Sequence, residues 1–159
     1  MCIGLELSIA IGLYKQIAKA IFYLHCHEIV HRDIKLENIV IDDERKLLLK
    51  LVDFGFARHD SNEPIRTDVC GTPNYMAPEL HLRIPHLSKP TDIWASGIIF
   101  FYLLTGYFPF GGLDEQELSI SICNDEPLFE ILDPKLSNVI IHLLKGVLEK
   151  KPELRWDIK

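Results

Sequence analysis

Basic runs are scarce in this 159-residue sequence: none exceeds two residues, as at Lys150-Lys151, and the formal net charge is −6 with a pI near 5.6. Neutralising a phosphate backbone takes clustered cations, so nucleic acid is excluded as a partner. Cysteines are also few. Cys2, Cys26, Cys70 and Cys123 form no C-x-x-C pair, which argues against a zinc ribbon or a disulfide framework and fits a reducing intracellular setting, cytoplasmic or nuclear. The nine glycines nowhere form G-x-G-x-x-G. No basic leader precedes the first apolar stretch, and Glu6 and Lys15 interrupt it, so no targeting segment is expected. Residues 93–113 carry no charge and are long enough to span a bilayer. Gly97, Gly106 and Pro109 break that stretch, however, and the turn-like residues 106–112 should stop a helix near Thr105. A buried core helix is the better reading, with no membrane as partner.

What is present is an ordinary globular composition, 48% hydrophobic and 25% charged, in one domain with a sizeable core. Apolar residues at Ile9, Leu13, Ile17, Ala20, Ile21 and Leu24 recur every three or four positions and predict a helix over 6–26. Short β-branched runs follow at Ile29-Val30, 39–41 and 47–52, with a turn at 42–45 between the last two. Residues 59–73 lose periodicity and become polar, which reads as a long exposed loop. Helical signals resume at 77–81, 91–105, 114–123 and 134–148. The fold expected is mainly α with a few short β-strands.

The chemistry concentrates in two short segments. The first reads His31-Arg32-Asp33-Ile34-Lys35-Leu36-Glu37-Asn38, a loop between two strand-like runs that can aim an acid and an amide into one cleft. The second, fifteen residues after Asn38, is Asp53-Phe54-Gly55, where a carboxylate follows an apolar run. Phosphoryl transfer needs Mg²⁺ on phosphate oxygens, and the hard oxygens of Asn38 and Asp53 suit that metal. It also needs a carboxylate to orient the attacking hydroxyl and a cation to offset charge; Asp33 and Lys35 suit those roles. His25, Cys26, His27 and His31 form a cluster whose spacing could suit zinc, but it falls at a helix end leading into the loop.

The ordered combination of these segments resembles protein kinases, whose catalytic loop H-R-D-x-x-x-x-N and whose D-F-G both match at the family's spacing. Further matches follow in order: Gly71-Thr72-Pro73-Asn74-Tyr75-Met76, Ala77-Pro78-Glu79, Asp92-Ile93-Trp94-Ala95-Ser96-Gly97 and a late Arg155. The resemblance implies ATP and Mg²⁺ as cofactors and a protein with a Ser or Thr acceptor as substrate. Lys35 and Thr72 look like the serine/threonine branch, and residues 97–110 look like the calmodulin-dependent and nutrient-sensing group. By the same likeness His31 and Phe54 have packing roles, Asp92 holds the catalytic loop from beneath, Glu79 pairs with Arg155, and Val40 floors the adenine site. Arg32 beside Asp33 implies control by an activation-loop phosphate. The candidate acceptors are Ser61 and Thr67, and Asp68 stands where many relatives carry the phosphorylated residue, a permanent substitute for it. Glu37 occupies a position that often meets a basic residue of the substrate.

The family's N-terminal β-lobe, with its glycine-rich loop and strand lysine, has no counterpart among these motifs. Residues 1–159 are therefore expected to be a C-terminal lobe, with little activity alone and an apolar upper face for a partner to cover. A catalytically inactive lobe serving as a binding module is the alternative.

Overall fold

The computed structural model describes residues 4–60, 65–134 and 136–157. Ser61, one of the two candidate phosphate acceptors, lies outside the described residues. The first helix, α1 (Leu7–Cys26), places Ala10, Tyr14, Ile17 and Ile21 on one buried stripe, as the three-to-four residue spacing requires. That stripe packs on the central helix α3 (Ser88–Thr105). Tyr14 stacks on Phe100 at 4.2 Å between centroids, and its hydroxyl lies 3.4 Å from the Ser96 hydroxyl. Burial pushes the Tyr14 pKa up, an effect the Ser96 contact only partly offsets.

Nearly every side chain of α3 is buried, Trp94, Ile98, Ile99, Phe100 and Phe101 among them. Among the described residues α1, and not α3, is long and apolar enough to cross a membrane, and α1 buries its apolar stripe in the core. Gly97 does not break α3, contrary to the sequence reading. It sits within the helix, where a Cβ would come within 2.8 Å of Val147 and 2.9 Å of Leu148, so its bare backbone is what lets α5 (Asn138–Val147) approach. Gly106, at φ +77°, ends α3 as its left-handed cap. Gly97→Ala should lower the midpoint of urea unfolding by overpacking this crossing, at a cost of about 1–3 kcal/mol.

Among the described residues, three two-stranded antiparallel pairs decorate the helices. Strand β1 (Ile29–Val30) pairs with β4 (Arg58–His59), β2 (Ile39–Asp43) with β3 (Leu48–Leu51), and β5 (Ile65–Arg66) with β6 (His86–Leu87). The stretch 59–73 is thus not one unbroken loop: it starts and continues in strand pairings that tie it to the chain on either side of the site. Gln16 of α1 pins the β2–β3 hairpin, donating to the Leu47 carbonyl at 2.9 Å and accepting from the Leu49 N–H at 3.0 Å. The turn of that hairpin falls at 44–47, two residues later than the sequence suggested.

The lower half is completed by α2 (Pro78–His81), α4 (Glu115–Asn124) and α5. Asp114 caps α4 by accepting from the Glu117 N–H at 2.8 Å, while the Glu117 carboxylate accepts from the Leu113 N–H, one residue before the cap, at 2.8 Å.

Candidate functional site

The loop over 31–38 is held from below. Asp92, near the start of α3, accepts the backbone N–H groups of His31 and Arg32, both at 2.9 Å, and contacts His25 Nε2 at 3.0 Å. Those bonds fix Arg32 at φ +71°, a left-handed conformation that a side-chain-bearing residue keeps only where its surroundings over-determine it. His31 is buried. Its Nε2 lies 3.1 Å from the Val52 carbonyl, its Nδ1 accepts the Asp33 N–H at 3.4 Å, and its ring meets Phe54 edge-on at 4.9 Å. One imidazole therefore links the loop to the strand end that carries Asp53. His25, His27 and His31 do not converge: His27 Nδ1 turns to the Tyr23 carbonyl at 2.7 Å, and no group of three metal-ligating side chains occurs among the described residues.

Asp33 is buried at the centre of a compact network. Its Oδ2 accepts from Lys35 Nζ at 2.6 Å and from Asn38 Nδ2 at 3.1 Å, and its Oδ1 accepts from Thr72 Oγ1 at 3.1 Å. Lys35 also donates to Thr72 Oγ1 at 3.0 Å, closing the ring. Asn38 spends its amide protons within the loop, on Asp33 Oδ2 and on the Asp33 carbonyl at 2.9 Å. Its carbonyl oxygen is therefore the group left for a ligand. The Asn38 carbonyl on the backbone accepts from the Val52 N–H at 2.8 Å, which sets Asp53 beside this loop. Asp53 is exposed, at φ +60°, with Oδ1 accepting the Gly55 N–H at 3.2 Å. Val40 stands on β2, directly after this loop, 41% exposed.

Thr72 reaches Asp33 because the chain turns sharply at Gly71. There φ is +116°, and a Cβ would lie 3.2 Å from the Arg32 carbonyl. Gly71→Ala should therefore cost about 1–3 kcal/mol and loosen Thr72 from Asp33, checked by urea unfolding together with hydrogen exchange over 71–76.

Arg32 donates from Nη2 to Asp68 and, at 2.8 Å, to Cys70 Sγ. Burial pulls the guanidinium pKa down, but Asp68 and Cys70 outweigh it and hold it above its usual value. Burial raises the Asp68 pKa in turn, and the Arg32 hydrogen bond and charge outweigh that to hold the carboxyl below its usual range. Thr67, next to Asp68, is exposed. Cys70 gave no sequence signal as a partner of Arg32; only the fold brings it there.

Glu79 and Arg155 form a fully buried two-pronged pair, with Nη1 to Oε1 at 2.7 Å and Nη2 to Oε2 at 2.9 Å. It ties α2, which follows the site, to the end of the chain. Glu37 is exposed in the 3₁₀ turn Leu36–Asn38. Beside it stands the buried Tyr75, whose pKa is pushed up to about 12 by burial and then by the Glu37 carboxylate.

A family model for the protein kinase domain matches residues 5–159. Calcium-dependent protein kinase 6 of Plasmodium berghei is 39% identical over 136 residues, 85% of this chain and 9% of that protein. Serine/threonine-protein kinase 17A of Oryctolagus cuniculus is 38% identical over 146 residues, 90% of this chain and 36% of that protein. Protein kinase C of Drosophila melanogaster is 36% identical over 151 residues, 94% of this chain and 20% of that protein. The chain thus spans between 9% and 36% of the length of these relatives. With the family model matching nearly every residue and serine/threonine kinases among the relatives, the chain belongs to the eukaryotic-type serine/threonine protein kinase family.

Proposed function

We propose that this chain is the C-terminal lobe of a protein kinase that transfers the ATP γ-phosphate to Ser or Thr hydroxyls of proteins, working together with an upper lobe. The observation that carries the reading is the closed ring of Asp33, Lys35 and Thr72, with Asn38 bonded to Asp33 and Asp53 set next to it through Val52 and Asn38. A free amide oxygen and an exposed carboxylate are hard oxygen donors, and they fit Mg²⁺ on a nucleotide. Bound Mg²⁺-ATP would supply the phosphoryl group and neutralise charge on its oxygens. Asp33 orients the acceptor hydroxyl and takes its proton at a carboxylate oxygen, while Lys35, already bonded to Asp33 and Thr72, offsets charge on the transferred group. Val40 floors the adenine.

The apolar surface near the cleft supports a covering lobe or partner. Val40, Ile41, Phe54 and Phe56 are 41–55% exposed. The same surface favours a second reading, a lobe that binds a partner without catalysis. Phosphorylation of a basic serine peptide from Mg²⁺-ATP, with Asp53→Ala as control, separates the two: transfer lost in the variant supports the kinase, and a folded protein silent even with an upper lobe supplied supports the binding module.

Asp68 acts in this reading as a fixed substitute for phosphate on Arg32. Its folded pKa lies below its unfolded one, so its contribution is present above about pH 4 and is lost as pH falls through the folded value. Asp68→Asn should remove that dependence, and loosen the segment at neutral pH, as read by limited proteolysis at 65–70. Stoichiometric phosphate on Thr67, with activity depending on it, would overturn the assignment. Glu37 favours substrates with a basic residue upstream of the acceptor; a peptide library showing no preference for Arg or Lys would remove that idea.

A further inference from the structure

The β2–β3 hairpin carries Val40, and its two ends are held in different ways. At the base, the Val52 N–H donates to the Asn38 carbonyl at 2.8 Å. Toward the tip, the strand register shifts between Ile41 and Asp43, so the ladder alone defines the turn less well there. Leu47 closes that turn at φ +49°, a left-handed conformation that a leucine keeps only where its surroundings hold it. Gln16 supplies the hold. Its Nε2 donates to the Leu47 carbonyl at 2.9 Å and its Oε1 accepts the Leu49 N–H at 3.0 Å, so one amide grips the chain on both sides of Leu48.

The grip transmits the position of α1 to the hairpin. Gln16 lies between Tyr14 and Ile17, both buried in the core, so its backbone is as fixed as the helix. Side-chain packing between helix and hairpin is incomplete: a cavity of about 20 Å³ remains among Gln16, Ile17, Ala20, Ile39, Leu49 and Leu51. Side chains around a gap constrain one another less than close-packed ones, which leaves the two Gln16 bonds to set the height of the hairpin over α1. Across the hairpin Leu49 pairs with Ile41 and Lys50 with Val40, and strand alternation turns Val40 to the face opposite that of Ile39. A displacement of β3 therefore carries Val40 with it.

We propose that Gln16 is a positioning residue for the nucleotide: through Leu47 and Leu49 it sets the height of Val40 against the adenine, and so acts on the base of ATP and not on its phosphates. This rests on the reading of Val40 as the adenine floor. Both ends of the Gln16 amide are spent on the hairpin, so its effect passes through Val40. Asn38 and Asp53, assigned to Mg²⁺ and the phosphates, lie at the other end of the hairpin, where the bond between Val52 and Asn38 holds them without Gln16.

The test compares Mg²⁺-ATP with Mg²⁺-tripolyphosphate, which has the phosphates without the base, in ¹H–¹⁵N NMR titrations of the purified chain. Wild type should bind ATP more tightly, with Val40 shifting for ATP alone. Gln16→Leu should lower ATP affinity by about tenfold, the worth of two lost hydrogen bonds, and leave tripolyphosphate affinity and the Asp53 shift unchanged. Gln16→Glu keeps the acceptor for Leu49 but loses the donor to Leu47, and should show the same selective loss to a smaller extent. Gly97→Ala, which strains the contact with Val147 and Leu148 away from the hairpin, should change neither affinity, so the selective loss is not a general loss of stability. A folded Gln16→Leu, or a folded Gln16→Glu if that alone folds, that keeps full ATP affinity or loses both ligands equally overturns the positioning role. Equal binding of ATP and tripolyphosphate by wild type overturns the Val40 reading, and the role of Gln16 with it. Binding of neither removes the nucleotide reading itself.

Discussion

Arg155→Ala is expected to destabilise the chain by about 3–5 kcal/mol, the usual cost of breaking a buried ion pair from one side. Both side chains are essentially inaccessible, at 0% and 1%. Beyond the two bonds to Glu79, the guanidinium donates to the carbonyls of Glu149 at 2.8 Å, Pro90 at 2.9 Å and Lys150 at 3.2 Å, and lies 5.0 Å from the Trp94 ring centroid. Removing it strands a carboxylate and three carbonyls in a medium that cannot rehydrate them. Arg155→Lys cannot rebuild a planar fork and should recover only a minor part. The exposed pair Lys50–Asp42, with side chains 62% and 44% accessible, gives the contrast: its removal should change stability by less than about 1 kcal/mol. Urea unfolding of the three variants checks both values, and a small loss at Arg155 would mean that the pair is not the lock between α2 and the chain end.

Asp33→Asn is expected to lower the phosphoryl-transfer rate by about 10²–10⁴-fold in a kinase that contains this lobe. An amide in the same place can still meet Lys35 and Thr72, so the loop keeps its shape, but it cannot take a proton from the acceptor hydroxyl. The loss should appear in kcat, with KM for ATP little changed, because the nucleotide is assigned to Asn38, Asp53 and Val40. Steady-state assays on the variant check it. A variant with near-normal kcat would show that Asp33 does no more than shape the loop.

Much of this was legible before the fold was known, for physical reasons that differ by element. The apolar period of α1 set its bounds to within one residue of Leu7–Cys26. The start of α3 at Ser88, three residues before the predicted Thr91, was hidden by Pro90, which is tolerated in a first turn where its missing N–H has no partner to lose. α5 begins at Asn138 and not at Pro134. The pairings of β4 and β5 were missed because each spans two residues and depends on partners distant in sequence, β1 and β6, so no local period announces them.

In the site, Asp33 and Asn38 in one short loop and Asp53 in a second segment were singled out by residue type and by the ordered combination of the two segments. Their neighbours were not visible in the same way. Thr72 served only as a marker of the serine/threonine branch, yet it bonds both Asp33 and Lys35. His25 looked like part of a metal cluster, yet it buries its ring against Asp92.

The most direct test of the central claim is an ATP titration of the purified chain by ¹H–¹⁵N NMR, with and without Mg²⁺, in wild type and in Asp53→Ala. The account predicts weak binding that requires Mg²⁺, shifts resonances of Asn38, Val40 and Asp53 together, and disappears in the variant. Shifts of the same size without Mg²⁺, or undiminished in Asp53→Ala, would contradict it.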